Sequence, residues 1–213
     1  MTCIIFGDKS SGAFAAEAAL AEAGAEYEFH AVSLRHNEQR RPEFLAINPS
    51  GKIPALQLPD GGILTETLAI LLTIAERFPD AALLPPAGTF ARAQALRWLA
   101  FMASEIYPMV EIEDYPARFA PAGAESDALR EKARERIRER LRIVEQAIAG
   151  PWLLGDGFSA ADIYAAMFNR WCAMHGWTPS DAPKLFALSE RLAERPRLAP
   201  VWQRHFQPST GPA

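Results

Sequence analysis

Apolar and polar positions along the chain change rhythm several times in the first eighty residues. Thr2 to Phe6 (TCIIF) is a short β-branched run closed by Gly7-Asp8, which predicts a buried strand. Phe14, Ala18, Ala19 and the alanines up to Ala23 then predict a helix stopped by Gly24. Tyr27 to Val32 reads as a second strand. The polar stretch LRHNEQRRPEF that follows is a loop or a short helix. Two brief apolar runs, Ala55 to Leu58 and Ile63 to Thr65, flank Pro59-Asp60-Gly61-Gly62, whose glycines can take the positive φ of a tight hairpin. Leu68, Leu71, Leu72 and Ala75 return to helical spacing, with Thr65, Glu66 and Thr67 at the helix start.

Strand, helix, strand, hairpin and helix is the order of a thioredoxin-like domain. From Phe78 the stretch PDAALLPPAG reads as a linker, and every later segment is helical in pattern. Ala93, Leu96, Arg97, Ala100 and Phe101 predict a helix over Thr89 to Tyr107 that Pro108 kinks or ends. Asp127 to Ile148 is the longest helix, its stripe formed by Leu129, Ala133, Ile137, Leu141, Val144 and Ile148. Ser159 and Asp162 make a near capping box at the head of another, a structural device. Short helices at Ala182 to Ala193 and Leu198 to His205 finish the pattern. The expected fold class is α/β plus all-α: a thioredoxin-like domain at 1–78, a linker at 79–88 and a helical domain at 89–213.

Composition narrows the function classes. Over 213 residues, 49% hydrophobic with a net charge of −4, the chain suits a globular protein and not an electrostatically driven nucleic-acid binder. The arginines of the long helix fit this, since Glu131, Glu135 and Glu139 each precede one by three residues, at Arg134, Arg138 and Arg142. There is no apolar run long enough for a membrane span and no secretory pattern at the start. Cys3 and Cys172 lie far apart and suit reduced, buried thiols, so a cytoplasmic location is expected. The four histidines are isolated, and no metal is implied. No nucleotide-binding glycine motif and no GxSxG elbow occurs.

The chemistry concentrates between Asn48 and Ile74. At Ile53-Pro54 a proline enters a strand from which it cannot donate, which places it at an edge or bend, and a cis bond is one way to fit it. Ile53 would then offer its N–H and C=O to an extended peptide. Glu66-Thr67 stands where strand hands over to helix. There a helix N-terminus and a Thr hydroxyl suit a ligand carboxylate, and Glu66 suits an ammonium group. An amino-acid head on a peptide-like body describes glutathione.

NPSGKIPAL followed by LTETLAI resembles the glutathione-binding half of the cytosolic glutathione transferase family, and the resemblance runs over essentially the whole chain. It implies that the Ile53 backbone, with Pro54, holds the cysteinyl part of glutathione and that Glu66 with Thr67 holds the γ-glutamyl part. The usual family pair is Glu-Ser, and Thr67 keeps the hydroxyl. Lys52 is the best-placed cation for the glycine carboxylate. The catalytic residue of the family lies in the first turn, where Ser10 falls at the Ser or Cys of the zeta, theta and omega classes and Ser11 is its neighbour. A hydroxyl and a helix N-terminus there favour the glutathione thiolate over the thiol, whereas simple N-capping also suits a Ser at this place. Gly12 stands where the beta class has its Cys, and Tyr107-Pro108 about where that class has a polar pair.

For a second, apolar electrophile the expected site lies between the two domains. Its candidates are Met102, Glu105, Ile106, Met109, Tyr115, Trp171, Met174 and His175. The resemblance implies a homodimer. It also leaves open a zeta-like isomerase or dehalogenase, or a non-catalytic binding module on the same fold.

Overall fold

In the computed structural model, which describes residues 2–207, the chain forms two compact units. One contains residues 2–84 together with 191–207, the other residues 85–190.

The first unit is built on a four-stranded mixed sheet of order β2-β1-β3-β4: β1 Cys3–Gly7, β2 Tyr27–Ala31, β3 Ala55–Gln57 and β4 Ile63–Thr65. The parallel pair β1 and β2 is joined through helix α1, Ala13–Ala23, as parallel neighbours require a crossover. Gly24 ends α1 in the left-handed conformation at φ 66°, where a side chain would be strained. The β3–β4 hairpin closes through the expected turn, Leu58 donating to Gly62 O at 2.8 Å and Gly61 standing at φ 87°. The polar stretch after β2 forms a short turn of helix at Glu38–Arg40 and then α2, Pro42–Leu45. Helix α3, Thr67–Arg77, packs on α1 and buries Ile70, Leu71 and Ile74.

Helix α1 is buried from Ala13 to Leu20 without a break, so its alanines let neighbours approach on every side. One of those neighbours comes from the far end of the chain. Helix α9, Ala199–Phe206, packs on α1 through Phe206, whose ring lies 4.7 Å from that of Phe14, and through Trp202 at 5.6 Å. The expected domain limits differ accordingly. The chain stays with the first unit through the turn Pro79–Ala81 to buried Leu83 and Leu84, and residues 191–207 return to it because Val201, His205 and Phe206 need that cover.

The second unit holds α4 Phe90–Phe101, α5 Tyr107–Asp114, α6 Ala124–Ala147, α7 Ala160–Ala173 and most of α8 Pro183–Ala193. Pro108 does not end the helix. A wide turn, Met102–Ile106, carries α4 into α5, with Tyr107 N–H bonding Met102 O. The widening makes room for a ring that would clash with the carbonyl four residues back. Helix α7 is buried almost throughout and headed by Asp162, whose carboxylate accepts from Leu153 N–H at 2.7 Å, Ser159 N–H at 2.8 Å and the Ser159 hydroxyl at 3.1 Å. On α6, Glu131 pairs with Arg134 as expected, but Glu135 pairs with Lys132 and Glu139 with Arg136. Arg138 instead donates to His175 O, and Arg142 lies over the Trp177 ring. No described helix is long and apolar enough to cross a membrane.

Candidate glutathione site

Strand register assembles the site in the first unit. Phe6 pairs with Ala55, and Ala55 pairs in turn with Thr65. Because β3 runs antiparallel to both neighbours, the end of β1, the start of β3 and the end of β4 share one edge of the sheet. The Ser10 turn follows the first, Ile53-Pro54 precedes the second and Glu66-Thr67 follows the third. Three segments up to 57 positions apart in the sequence are thereby brought to one place.

In the first turn, Asp8 is the organiser. Its carboxylate accepts from Leu34 N–H and Lys9 N–H, both at 2.8 Å, tying the turn to the chain after β2. Ser11 is 7% exposed; its hydroxyl donates to Asp8 O at 2.7 Å and accepts from Ala13 N–H at 3.2 Å. That is the behaviour of a helix cap. Ser10 is exposed and sits at φ 56°. Its hydroxyl donates to His205 O at 2.5 Å, and its N–H donates to His205 Nδ1 at 3.2 Å. The N–H groups of Ser11 and Gly12 have no acceptor among the described residues and stand at the positive end of α1.

The second segment is set by Asn48, 4% exposed. Its side chain donates to Lys52 O at 2.6 Å and accepts from Ser50 N–H at 3.1 Å and the Ser50 hydroxyl at 2.8 Å. Gly51, at φ 60°, completes the bend, where an added Cβ would meet the Arg40 side chain at 2.8 Å. The Ile53–Pro54 bond is cis. Ile53 packs partly against Val32, Phe44 and Ala55, while its N–H and C=O carry no hydrogen bond among the described residues. Lys52 is exposed beside it.

At the third segment Glu66 stands at φ 64°, with its carbonyl accepting from Ile70 N–H at 3.0 Å and its carboxylate exposed. Thr67, 5% exposed, opens α3, where first-turn N–H groups lack intrahelical acceptors.

The residues expected to face a second substrate lie in the helical unit. Met102 and Ile106 have no exposed surface and belong to its core. Trp171 is part-exposed and meets Tyr107 and Phe168 edge-on at 5.8 and 5.4 Å. Met109 is part-exposed, and Tyr115 lies under the Arg118 guanidinium at 3.8 Å. Glu105 is exposed and accepts from Arg140 at 3.2 Å. An open groove of this unit is lined by Phe119, Ala120, Ala128, Leu129 and Lys132, none of them among the expected substrate residues. Among the described residues no cluster of His, Cys, Asp and Glu is suited to a metal ion.

Sequence reasoning missed Asn48, Glu17 and His205. Asn48 had a signal, the Asn-Pro step that opens a turn. Glu17 had a weaker one, a lone carboxylate in an alanine-rich helix, but its partner 188 residues away had none.

Two family models match the chain: the glutathione S-transferase N-terminal domain over residues 4–76 and the C-terminal domain over residues 94–196. An uncharacterized GST-like protein YncG of Escherichia coli is 31% identical over 94% of this chain and 97% of its own length. A maleylacetoacetate isomerase of Pseudomonas aeruginosa is 30% identical over 73% of this chain and 74% of its own. A crystal structure of a glutathione transferase homologue from Sulfitobacter, with bound glutathione, superposes with a TM-score of 0.89 at 29% identity, covering 96% of this chain and 99% of that one. With a thioredoxin-like unit carrying the three clustered segments and a helical unit after it, the chain belongs to the glutathione S-transferase family.

Proposed function

We propose that this protein binds glutathione, stabilises its thiolate and directs it at a small electrophilic compound. The observation that carries this reading is the side-by-side register of Phe6, Ala55 and Thr65, which gathers the Ser10 turn, the unpaired Ile53 backbone and the Glu66-Thr67 helix start. The Ile53 N–H and C=O pair with the cysteinyl unit, beside Pro54, as an added strand would. The Thr67 hydroxyl and the first N–H groups of α3 take the γ-glutamyl carboxylate, Glu66 takes its ammonium, and Lys52 takes the glycine carboxylate.

Of the two serines, Ser10 is the exposed one, and Ser11 is engaged as a cap. In this reading the Ser10 hydroxyl turns from His205 O to donate to the sulfur, helped by the N–H groups at the start of α1. Both favour the thiolate, and the thiol proton passes to water. The sulfur then forms a bond to the electrophilic carbon, and a leaving group departs with its electron pair. The apolar part of the electrophile rests on part-exposed Met109, Tyr115 and Trp171, with Glu105 at the rim and Met102 and Ile106 as the packing beneath. A glutathione-dependent isomerase is the second reading, favoured by the adjacent serines and the maleylacetoacetate isomerase relative. It predicts that glutathione is regained after turnover.

An exposed apolar stripe on α4, with Phe90 at 78% exposure and Ala93, Leu96 and Ala100 along the same side, supports a homodimer. A cytoplasmic setting suits reduced glutathione as co-substrate and two free cysteines.

The test is a pH titration of thiolate absorbance for bound glutathione in the wild type, Ser10→Ala and Ser11→Ala. A lowered thiol pKa that returns toward the free value in Ser10→Ala supports the reading. An unshifted pKa in the wild type favours a non-catalytic binding module.

A further inference from the structure

Glu17 has no exposed surface, sits in the middle of the alanine-rich helix α1 and has a full set of partners. Its carboxylate accepts from Tyr27 Oη at 3.0 Å, from Arg204 and from His205 Nε2 at 2.8 Å. A backbone N–H can only donate, so His205 Nδ1, 3.2 Å from Ser10 N–H, presents its lone pair, and the ring hydrogen stands on Nε2 with the Glu17 carboxylate as its acceptor. That fixes the tautomer. The same histidine's carbonyl takes the Ser10 hydroxyl. The ring has little room to turn: it is 3% exposed and wedged edge-on against Phe14 at 5.5 Å and Phe29 at 5.9 Å. Ser10 for its part holds φ 56°, a left-handed conformation that serine seldom adopts unaided.

We propose that Glu17 and His205 are positioning residues for Ser10: the buried carboxylate sets the imidazole tautomer, and the imidazole holds the backbone of the first turn in its left-handed bend. This deepens the reading of Ser10 as the thiolate-stabilising hydroxyl and rests on it for its consequence in activity. The positioning itself does not depend on that reading. With an acceptor at Nδ1 the turn is latched by its backbone, so the Ser10 hydroxyl can leave His205 O for a ligand sulfur without the turn coming loose. With the other tautomer, Nδ1–H would face Ser10 N–H, and the latch would be replaced by repulsion between two donors.

Three substitutions separate the parts. Glu17→Gln keeps the size but frees the tautomer, since an amide can donate to Nε2. His205→Gln can still reach Glu17 but gives up the acceptor at the Nδ1 position. His205→Asn does the reverse, with Oδ1 near Nδ1 and no reach to Glu17. Nitrogen NMR of the imidazole in the wild-type protein reads the tautomer, exchange of the Ser10 amide hydrogen reads the latch, and thiolate absorbance of bound glutathione reads the consequence.

The expected results are an Nε2–H tautomer in the wild type and a Ser10 amide protected in the wild type and His205→Asn. In Glu17→Gln and His205→Gln that amide should exchange at least about tenfold faster, with the bound-thiol pKa moving toward that of Ser10→Ala. A wild-type imidazole protonated on Nδ1, or unchanged Ser10 protection in both Glu17→Gln and His205→Gln, overturns the positioning. Should the amide be released as expected while the wild-type thiol pKa is unshifted, the positioning stands and the catalytic reading of Ser10 falls. Equal losses of Ser10 protection in His205→Asn and His205→Gln would reduce His205 to a packing residue and reject the proposal.

Discussion

The Asn48 side-chain amide donates to the Lys52 carbonyl at 2.6 Å, so the first residue of the ligand-binding stretch sets the bend that delivers Ile53 to the sheet edge. Its carbonyl oxygen accepts two further hydrogen bonds from Ser50. Asn48→Ala removes all three and leaves groups near a buried position unpaired, at a cost of about 2 kcal/mol. The expected outcome is glutathione binding weakened roughly tenfold or more by calorimetry, with near-native circular dichroism.

At the start of α3, Thr67 presents a hydroxyl from a 5% exposed side chain where the family resemblance implies a Ser. Thr67→Ser should therefore keep affinity within a few-fold. Thr67→Val has nearly the same shape and loses the hydroxyl, for a loss of about 1–2 kcal/mol or roughly tenfold in Kd. Equal binding by the two variants would remove the hydroxyl from the carboxylate's reception.

Cys3 and Cys172 are both free and buried. Burial, aided by Glu113, pushes the Cys172 thiol up to about 12, and burial raises that of Cys3 as well. A raised pKa keeps each sulfur protonated, and the thiol is a far poorer nucleophile than the thiolate. Labelling with a disulfide reagent at neutral pH should be negligible on the native protein and reach two equivalents once denaturant is added. Fast labelling of either in the folded state would contradict its placement.

Phe90 exposes 78% of its surface at the head of α4. If a second copy covers that stripe, Phe90→Asp should halve the solution mass measured by light scattering at micromolar concentration, with thermal stability of the separated chains lower or equal. A wild-type protein that is monomeric at every concentration would set the homodimer aside.

What the sequence made readable was what depends on neighbours in the chain. Gly24 after an alanine run, Pro-Asp-Gly-Gly between two brief apolar runs and Ser159 three before Asp162 each encode a local geometry, and each takes that geometry. The Ile53-Pro54 bend and the Glu66-Thr67 helix start were likewise visible, because a proline at a strand entrance and a polar pair before an apolar helix have local causes. At Pro108 a kink and an end were both open from the sequence, and the helix goes on for a physical reason. The rule that proline breaks a helix assumes a regular ladder, and the wide turn at Met102–Ile106 accommodates the ring by leaving that ladder for one turn. Ser10 ranks before Ser11 by its distance from the helix-ending Ala23-Gly24, but the surroundings that distinguish the two hydroxyls are not local. Ser10 is exposed and Ser11 buried, and the partner of the Ser10 hydroxyl comes from α9.

That long-range closure has a consequence for biosynthesis. Glu17 leaves the ribosome well before the arginine and histidine that pair with it, which follow 187 and 188 positions later. Until they arrive, α1 carries a carboxylate it cannot enclose, since an unpaired ion in an apolar interior is costly. The sheet-bearing unit is thus begun before the helical unit is translated and completed after it. A nascent chain stalled near residue 190 should remain protease-sensitive in its opening eighty residues, however well its helical middle has already formed.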